Sequence, residues 1–243
     1  MTGGQGKLGS NNSFSVFNRI AYNIFPVSVS AKNRPSNVAV IGLRVHSGWG
    51  ALVTVAGTTE AVQVQVVDRR RIEIVDPKVP GAAQPYHFAE DLELRAAESH
   101  LEKCATMAVA LASAGLSQAV KHARDLGWRL SGVAILLSAS RPLPPLPKIL
   151  ASHAMIHAAE GEFFRDAFRR ACRKLDIPVT GIRERDLDQH VQAAFGRVAS
   201  EQKKKIAGMG RVLGPPWTQD QKTAALAATI LLADARGSLR AGA

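Results

Sequence analysis

Along residues 38–75 the apolar side chains come in short β-branched runs, and from about residue 87 onward they recur at three- and four-residue spacing. The first pattern is that of strands, the second that of helices buried along one stripe. Val38 to Arg44 and Trp49 to Ala56 read as two strands joined across a tight glycine turn. Val62 to Val67 and Arg70 to Val75 follow, separated by Asp68-Arg69, and predict an irregular third strand. Within it Arg71, Glu73 and Val75 alternate with Arg70, Ile72 and Ile74, as on a half-buried strand. Pro77, Pro80, Gly81 and Pro85 end the sheet-forming region with a loop.

A long helical block spans about His87 to Leu126. Two candidate buried stripes run through it, Leu92-Ala96-Ser99-Lys103 and Leu94-Ala97-Leu101-Cys104, and Gly115 is expected to break it in two. Val133 to Leu137 is too short for a helix and reads as a buried strand. The proline-rich stretch 141–147 is an extended connector into a second long helix, Lys148 to Leu175. Ile177 to Ile182 is another short strand, Arg183 to Arg197 and Glu201 to Ile206 are polar helices, and Gly208, Gly210 and Gly214-Pro215-Pro216 form a break. The last helix covers about Thr218 to Ala235, with Thr218 or Asp220 as its cap. Antiparallel strands first and βα units after predict a mixed sheet with helices on its faces, an α/β fold.

Composition narrows the class. Residues 1–36 are rich in Gly, Ser and Asn and are expected to be a disordered basic tail; the folded domain is 37–235, with a flexible C-terminus at 236–243. The chain carries +11, and Lys7, Arg19, Lys32 and Arg34 lie in the tail without any acid, which leaves +7 on the rest. That balance suits a polyanion, and DNA or RNA is the expected partner. Cys104 and Cys172 lie in helical patterns without metal-ligand spacing, as buried free thiols of a reducing compartment, so the expected location is cytoplasmic. No apolar run reaches the length of a membrane span, and Phe14 to Ala31 is too interrupted for a secretory signal. Self-association into a homodimer is left open.

Three segments carry a resemblance. The glycine hairpin Gly42 to Gly50 is similar to an opening "Gly-Ile-Asp-Pro-Gly" segment, Glu160-Gly-Glu-Phe-Phe-Arg165 through Arg169 to Thr180 to a helix leading into a "Gly-Ile-Pro-Val" strand, and Asp220 to Ala228 to a terminal "Asp-Ala-Ala-Asp-Ala-Leu-Ala" helix. Together they resemble the ribonuclease H-like superfamily, in particular Holliday-junction resolvases of the RuvC and RuvX type, over roughly residues 37–235. The resemblance implies an antiparallel β-β-β unit followed by β-α-β-α. It also implies phosphodiester hydrolysis by two divalent metal ions, held by about four carboxylates from the first strand, the fourth strand and the last helix. Here Arg44 stands at the first acid, Val133 to Ser138 contains none, and the last helix keeps Asp220 while Thr223 takes the place of a second. One carboxylate of four does not hold two magnesium ions.

Other constellations are possible sites. His153, His157 and Glu160 fall on one helix face, a spacing that suits a transition-metal site or a polar surface with hydrogen-bonded histidines. With Asp220 they are the candidate catalytic residues; the cofactor is open, a divalent metal being the candidate. Arg44 and His46 at the hairpin are candidates for holding an anion, and Arg44 for pairing internally with Asp220. Glu90, one turn after His87, is expected to cap a helix start. Trp217 and Lys222 beside Asp220 suit a stacked base or a bound phosphate, or else Trp217 plugs a helix–sheet seam. Lys203, Lys204 and Lys205 are candidate phosphate contacts, and Arg69 to Arg71 and Arg169 to Lys174 are weaker basic runs. Three functions fit: a nucleic-acid-binding member of the superfamily with weak or lost nuclease activity, a metal enzyme built on His153, His157, Glu160 and Asp220, and a non-catalytic interaction protein.

Overall fold

The computed structural model describes residues 37–57, 64–138 and 142–241, so the expected tail 1–36, Val62 and Arg141 lie outside the described residues. Five strands form one sheet: β1 Val38–His46, β2 Trp49–Gly57, β3 Gln65–Glu73, β4 Arg129–Leu137 and β5 Val179–Arg183. Their spatial order is β3-β2-β1-β4-β5. The first two junctions are antiparallel. Strands β1–β4 and β4–β5 pair in parallel. This order and these directions are those of the ribonuclease H-like fold, an α/β mixed sheet. The hairpin turns at Ser47-Gly48, where Gly48 adopts φ 80°, the left-handed region open to glycine.

The third strand departs from the sequence expectation. Residues 65–73 are one continuous strand without a break at Asp68-Arg69, and the irregularity is instead a register shift opposite Thr54/Val55. Local polarity misleads there because Asp68 and Arg70 neutralise each other, 2.6 Å apart on the strand.

Helices cover both faces. On one side lie α1 Pro85–Glu90, α2 Leu94–Asp125, α3 Leu146–Leu150 and α4 His153–Lys174. On the other lie α5 Leu187–Phe195, α6 Ala199–Gly208, α7 Gly210–Leu213 and α8 Gln219–Ala241. Ile41, Leu43 and Leu52 join Leu116, Phe164 and Phe168 in the α2–α4 core. Val38, Val40, Val53 and Val55 alternate to the opposite face, against Ala224 to Ala228 of α8.

Several helix boundaries differ from the sequence reading: Arg183 ends β5 and α5 starts only at Leu187, and the expected break at Gly208 and Gly210 is taken up by the end of α6 and the short α7. The expected block 87–126 is α1 plus α2, and α2 passes through Gly115 unbroken. A Cβ on Gly115 would sit 2.6 Å from Ile72 Cγ2, so glycine there serves close helix–sheet packing. Only the second expected stripe is buried, and without its first member: Leu94 is exposed, whereas Ala97, Leu101 and Cys104 continue into Ala108, Ala112 and Leu116. Glu90 stands at the end of α1, not its start, and does not cap it. The second long helix is split at Ala151-Ser152 into α3 and α4. Helix α8 begins as expected on Thr218. The Thr218 backbone N–H donates to Gln221 Oε1 at 2.9 Å, and the Asp220 N–H lies 3.3 Å from Thr218 Oγ1.

Gly42 lies where β1 meets α8. A Cβ there would fall 1.9 Å from the Ala224 carbonyl oxygen. The hairpin glycine and the alanine run therefore serve one purpose: α8 rests almost on the sheet backbone. That seating brings the first turn of α8 to the end of β1.

Candidate functional site

In α/β sheets ligands gather beyond the carboxyl ends of parallel strands. Here β1 ends in Arg44 and His46, β5 runs into Glu184, and α8 starts with Asp220. Residues 38, 40 and 42 of β1 face α8, so Arg44 and His46 do too. The Arg44 guanidinium donates from Nη1 to Asp220 Oδ1 at 2.5 Å and from Nη2 to Glu184 Oε1 at 2.8 Å. His46 Nε2 is 3.0 Å from the same Asp220 oxygen. The His46 ring stacks on Trp49 with centroids 4.3 Å apart, and the Arg71 guanidinium lies 3.6 Å from the Trp49 ring centre. Arg44 thus pairs internally with Asp220, one of the two roles expected for it.

The electrostatics favour fixed charges. Burial alone works to raise the Asp220 carboxyl, but the hydrogen bonds from Arg44 and His46 outweigh it and hold the group below its ordinary value. Burial likewise works to lower Arg44, and the Asp220 hydrogen bond and Glu184 charge reverse it, so the guanidinium stays protonated. Asp220 in the first turn of α8 also meets the positive end of the helix dipole.

The two-cation site implied by the resemblance does not fit these residues. Asp220 and Glu184 are both hydrogen-bonded to Arg44. On β4, Leu136 follows Ile135, the partner of Leu43, and is apolar and buried. The Thr223 hydroxyl donates to the Gln219 carbonyl at 2.7 Å. Two magnesium ions would need hard oxygen ligands where this chain places a guanidinium.

A basic margin adjoins this network. Lys204, Arg211, Trp217 and Lys222 line an open groove of about 630 Å³. A neighbouring groove of about 350 Å³ is lined by Glu184, Asp188, Lys203, Lys222 and Thr223. Lys222 belongs to both. Lys203 pairs with Asp188 at 2.7 Å, and Lys204 and Lys205 are exposed on α6. Trp217 is the seam plug: its Nε1 donates to the Ile206 carbonyl at 2.9 Å and its ring packs on the α8 core.

The basic run in β3 is spent internally. Arg69 donates to the carbonyls of Leu213, Gly214 and Pro216, which pins the loop entering α8. Arg70 pairs with Asp68 and Arg71 with Glu73. Arg169 similarly pairs with Glu162.

Arg44, His46 and Asp220 do not converge with His153, His157 and Glu160. Arg44 and Asp220 lie on the α8 face, whereas His153, His157 and Glu160 belong to α4 on the other. The two exposed histidines of α4 meet His87 of α1, with His157 Nε2 3.0 Å from His153 Nε2. Glu160 is only 3% exposed and turns instead to His87, accepting its backbone N–H at 3.2 Å with Oε1 2.9 Å from Nδ1. Glu184 and the place of His87 beside His153 and His157 were not legible in the sequence. Neither had a local signal: Glu184 sits in a charged run read as helix, and His87 meets α4 only through the tertiary fold.

No family model and no curated protein matches the sequence. Among solved structures the chain is similar to Thermus thermophilus RuvC at 14% identity, over 83% of this chain and 97% of that one, with a TM-score of 0.49. It is similar to T. thermophilus RuvC in complex with a Holliday junction substrate at 14% identity, over 82% and 96%, with a TM-score of 0.47. Against the yeast mitochondrial Holliday junction resolvase the identity is 9%, over 86% and 82%, with a TM-score of 0.42. The likeness is one of fold, which the strand order of the sheet itself identifies as ribonuclease H-like.

Proposed function

We propose that this chain is a nucleic-acid-binding protein built on the ribonuclease H-like fold, in which an internal salt bridge has replaced the cation site used for phosphodiester cleavage. One observation carries the reading: the Arg44 guanidinium bridges Asp220 and Glu184 at the strand ends, where the fold's chemistry calls for free carboxylates. The charge of +11 and the grooves bearing Lys203, Lys204, Arg211 and Lys222 supply the attraction for phosphates. Arg44, with both partners acidic, is a structural cation here and not the main phosphate contact.

The test pairs binding with cleavage. Labelled duplex, single-stranded and four-way-junction DNA are titrated by fluorescence anisotropy, then incubated with Mg²⁺ or Mn²⁺. The expected result is binding that weakens steeply with salt and no cleavage. Metal-dependent cleavage by the wild-type protein, or no binding to any of these probes or to RNA at low salt, would reject the reading. R44D places a third carboxylate beside Asp220 and Glu184. It should gain Mg²⁺ stabilisation of about 1 kcal/mol with the ion at several times its dissociation constant, whereas the wild type gains none.

A further inference from the structure

We propose that His87, His153 and His157 form a binding site for a zinc-class divalent transition-metal ion, with Glu160 as the carboxylate that orients His87. The site is separate from the Arg44 network and does not depend on the nucleic-acid reading.

Its geometry starts with spacing. His153 and His157 are one turn apart on α4, so their imidazoles leave the same face of the helix. Their Nε2 atoms are 3.0 Å apart, close to the edge of about 3.3 Å that two nitrogens span in a tetrahedral zinc site. The third imidazole comes from α1. His87 has its ring centre 4.7 Å from that of His157 and 5.3 Å from that of His153. One ligand atom from each histidine lies within 4.8 Å of the other two, and among the described residues no other group of His, Cys, Asp or Glu does the same.

Glu160 supplies a second, independent pointer. It is a buried carboxylate, and its Oε1 lies 2.9 Å from His87 Nδ1 and receives the His87 backbone N–H. The Nδ1 contact has ion-pair distance but lacks hydrogen-bond alignment, and Nδ1 has no other partner. A buried carboxylate that accepts the second N–H of a ligating imidazole fixes the ring and raises its basicity toward a metal, and a small rotation of the His87 ring would bring Nδ1–H into line with Glu160 Oε1. With Nδ1 turned to Glu160, Nε2 is the nitrogen left for the ion. The carboxylate also places a negative charge behind the site, offsetting part of the ion's charge.

Chemistry selects the ion. Three imidazoles suit zinc and its neighbours and are poor ligands for magnesium or calcium. Three protein ligands leave a fourth tetrahedral position, as in zinc sites that bind water or an anion. His153 and His157 are exposed, so that position opens to solvent. The first turns of α4 also lie at the end of the sheet where β1 and β4 finish, because α4 runs back along the sheet from β4 to β5.

The experiment uses tag-free, metal-stripped full-length protein. Equilibrium dialysis against buffered Zn²⁺ with elemental analysis should give a single zinc per chain. Co²⁺ loading should give the intense visible absorption of a tetrahedral site. H153Q and H157Q, both at exposed positions, should keep the metal-free melting temperature and lose zinc at the concentration that saturates wild type. E160Q should bind zinc about 10- to 100-fold more weakly. Substoichiometric zinc in wild type, or undiminished zinc in folded H153Q and H157Q, would overturn the assignment. DNA binding is not a readout, so failure of the nucleic-acid reading leaves this result intact.

Discussion

A guanidinium taken partly out of water loses hydration, and good geometry with more than one acceptor is what repays it. Arg44 meets that condition by holding Asp220 and Glu184 together. D220N should therefore lower stability by about 2 kcal/mol at pH 7, the scale of a hydrogen bond to a charged group, measured by urea unfolding. The pH dependence has a definite sign. Asp220 titrates lower in the folded protein than in the unfolded chain, so its contribution is complete above the unfolded carboxylate value of about 3.9 and is lost as pH falls through the folded value. Wild type and D220N should converge in stability as the medium is acidified. A second residue-level prediction concerns Cys172, whose thiol is pushed up to about 12 by burial. The thiolate is the reactive form, so Ellman's reagent should modify Cys172 only after denaturant is added.

At the scale of elements, the contact between β1 and α8 sets the position of everything around Asp220. Gly42 admits the Ala224 carbonyl at a distance that leaves no space for a methyl group. G42A should cost about 3 kcal/mol, at the upper end for overpacking, and shift the urea midpoint without changing the cooperativity. G115A meets the buried, β-branched Ile72 side chain, its Cγ2 at 2.6 Å, instead of backbone. Its overpacking is offset by a gain of about 1 kcal/mol in helix propensity, and its measured loss should be smaller than that of G42A. The ordering of the two variants follows from the depth of each overlap, 1.9 Å to a carbonyl oxygen fixed by a helix against 2.6 Å to a side-chain methyl, and from the helix propensity gained only at position 115.

Over the whole molecule, net charge and charge placement have different consequences. The total of +11 predicts salt-sensitive attraction to any polyanion. Placement is narrower, because Arg69, Arg70, Arg71 and Arg169 are committed to internal partners and Lys203 to Asp188. Charge reversal at Lys204 or Lys222, which line the groove beside α8, should weaken DNA binding more than reversal at Lys203. Each reversed phosphate contact should also reduce the slope of log affinity against log salt by about 1. Anisotropy titrations over a salt series check both. A K203E loss equal to that of K204E would mean that the Asp188 pair opens on binding.

The order of strands and helices was legible in the chain because period-two runs, period-four stripes and glycine–proline breaks are local properties. The departure of Arg44 from the acidic pattern was legible for the same reason, since one residue in one strand carries it. Continuity of β3 was not legible, because the cross-strand partners that hold Asp68 and Arg69 in line lie in β2. The use of Arg69, first of the β3 arginine run, was not legible either, because the carbonyls of the loop before α8 that take it up are remote in sequence. Glu184 and His87 needed the tertiary structure as well: one reaches Arg44 through the β5 position in the sheet, the other reaches His153 and His157 through the packing of α1 on α4. Sequence alone thus determined the elements and which residue types were present to do chemistry. Only the folded chain decided the partners, because charge pairing and the meeting of three imidazoles depend on distances of a few ångströms between segments that the sequence order does not bring together.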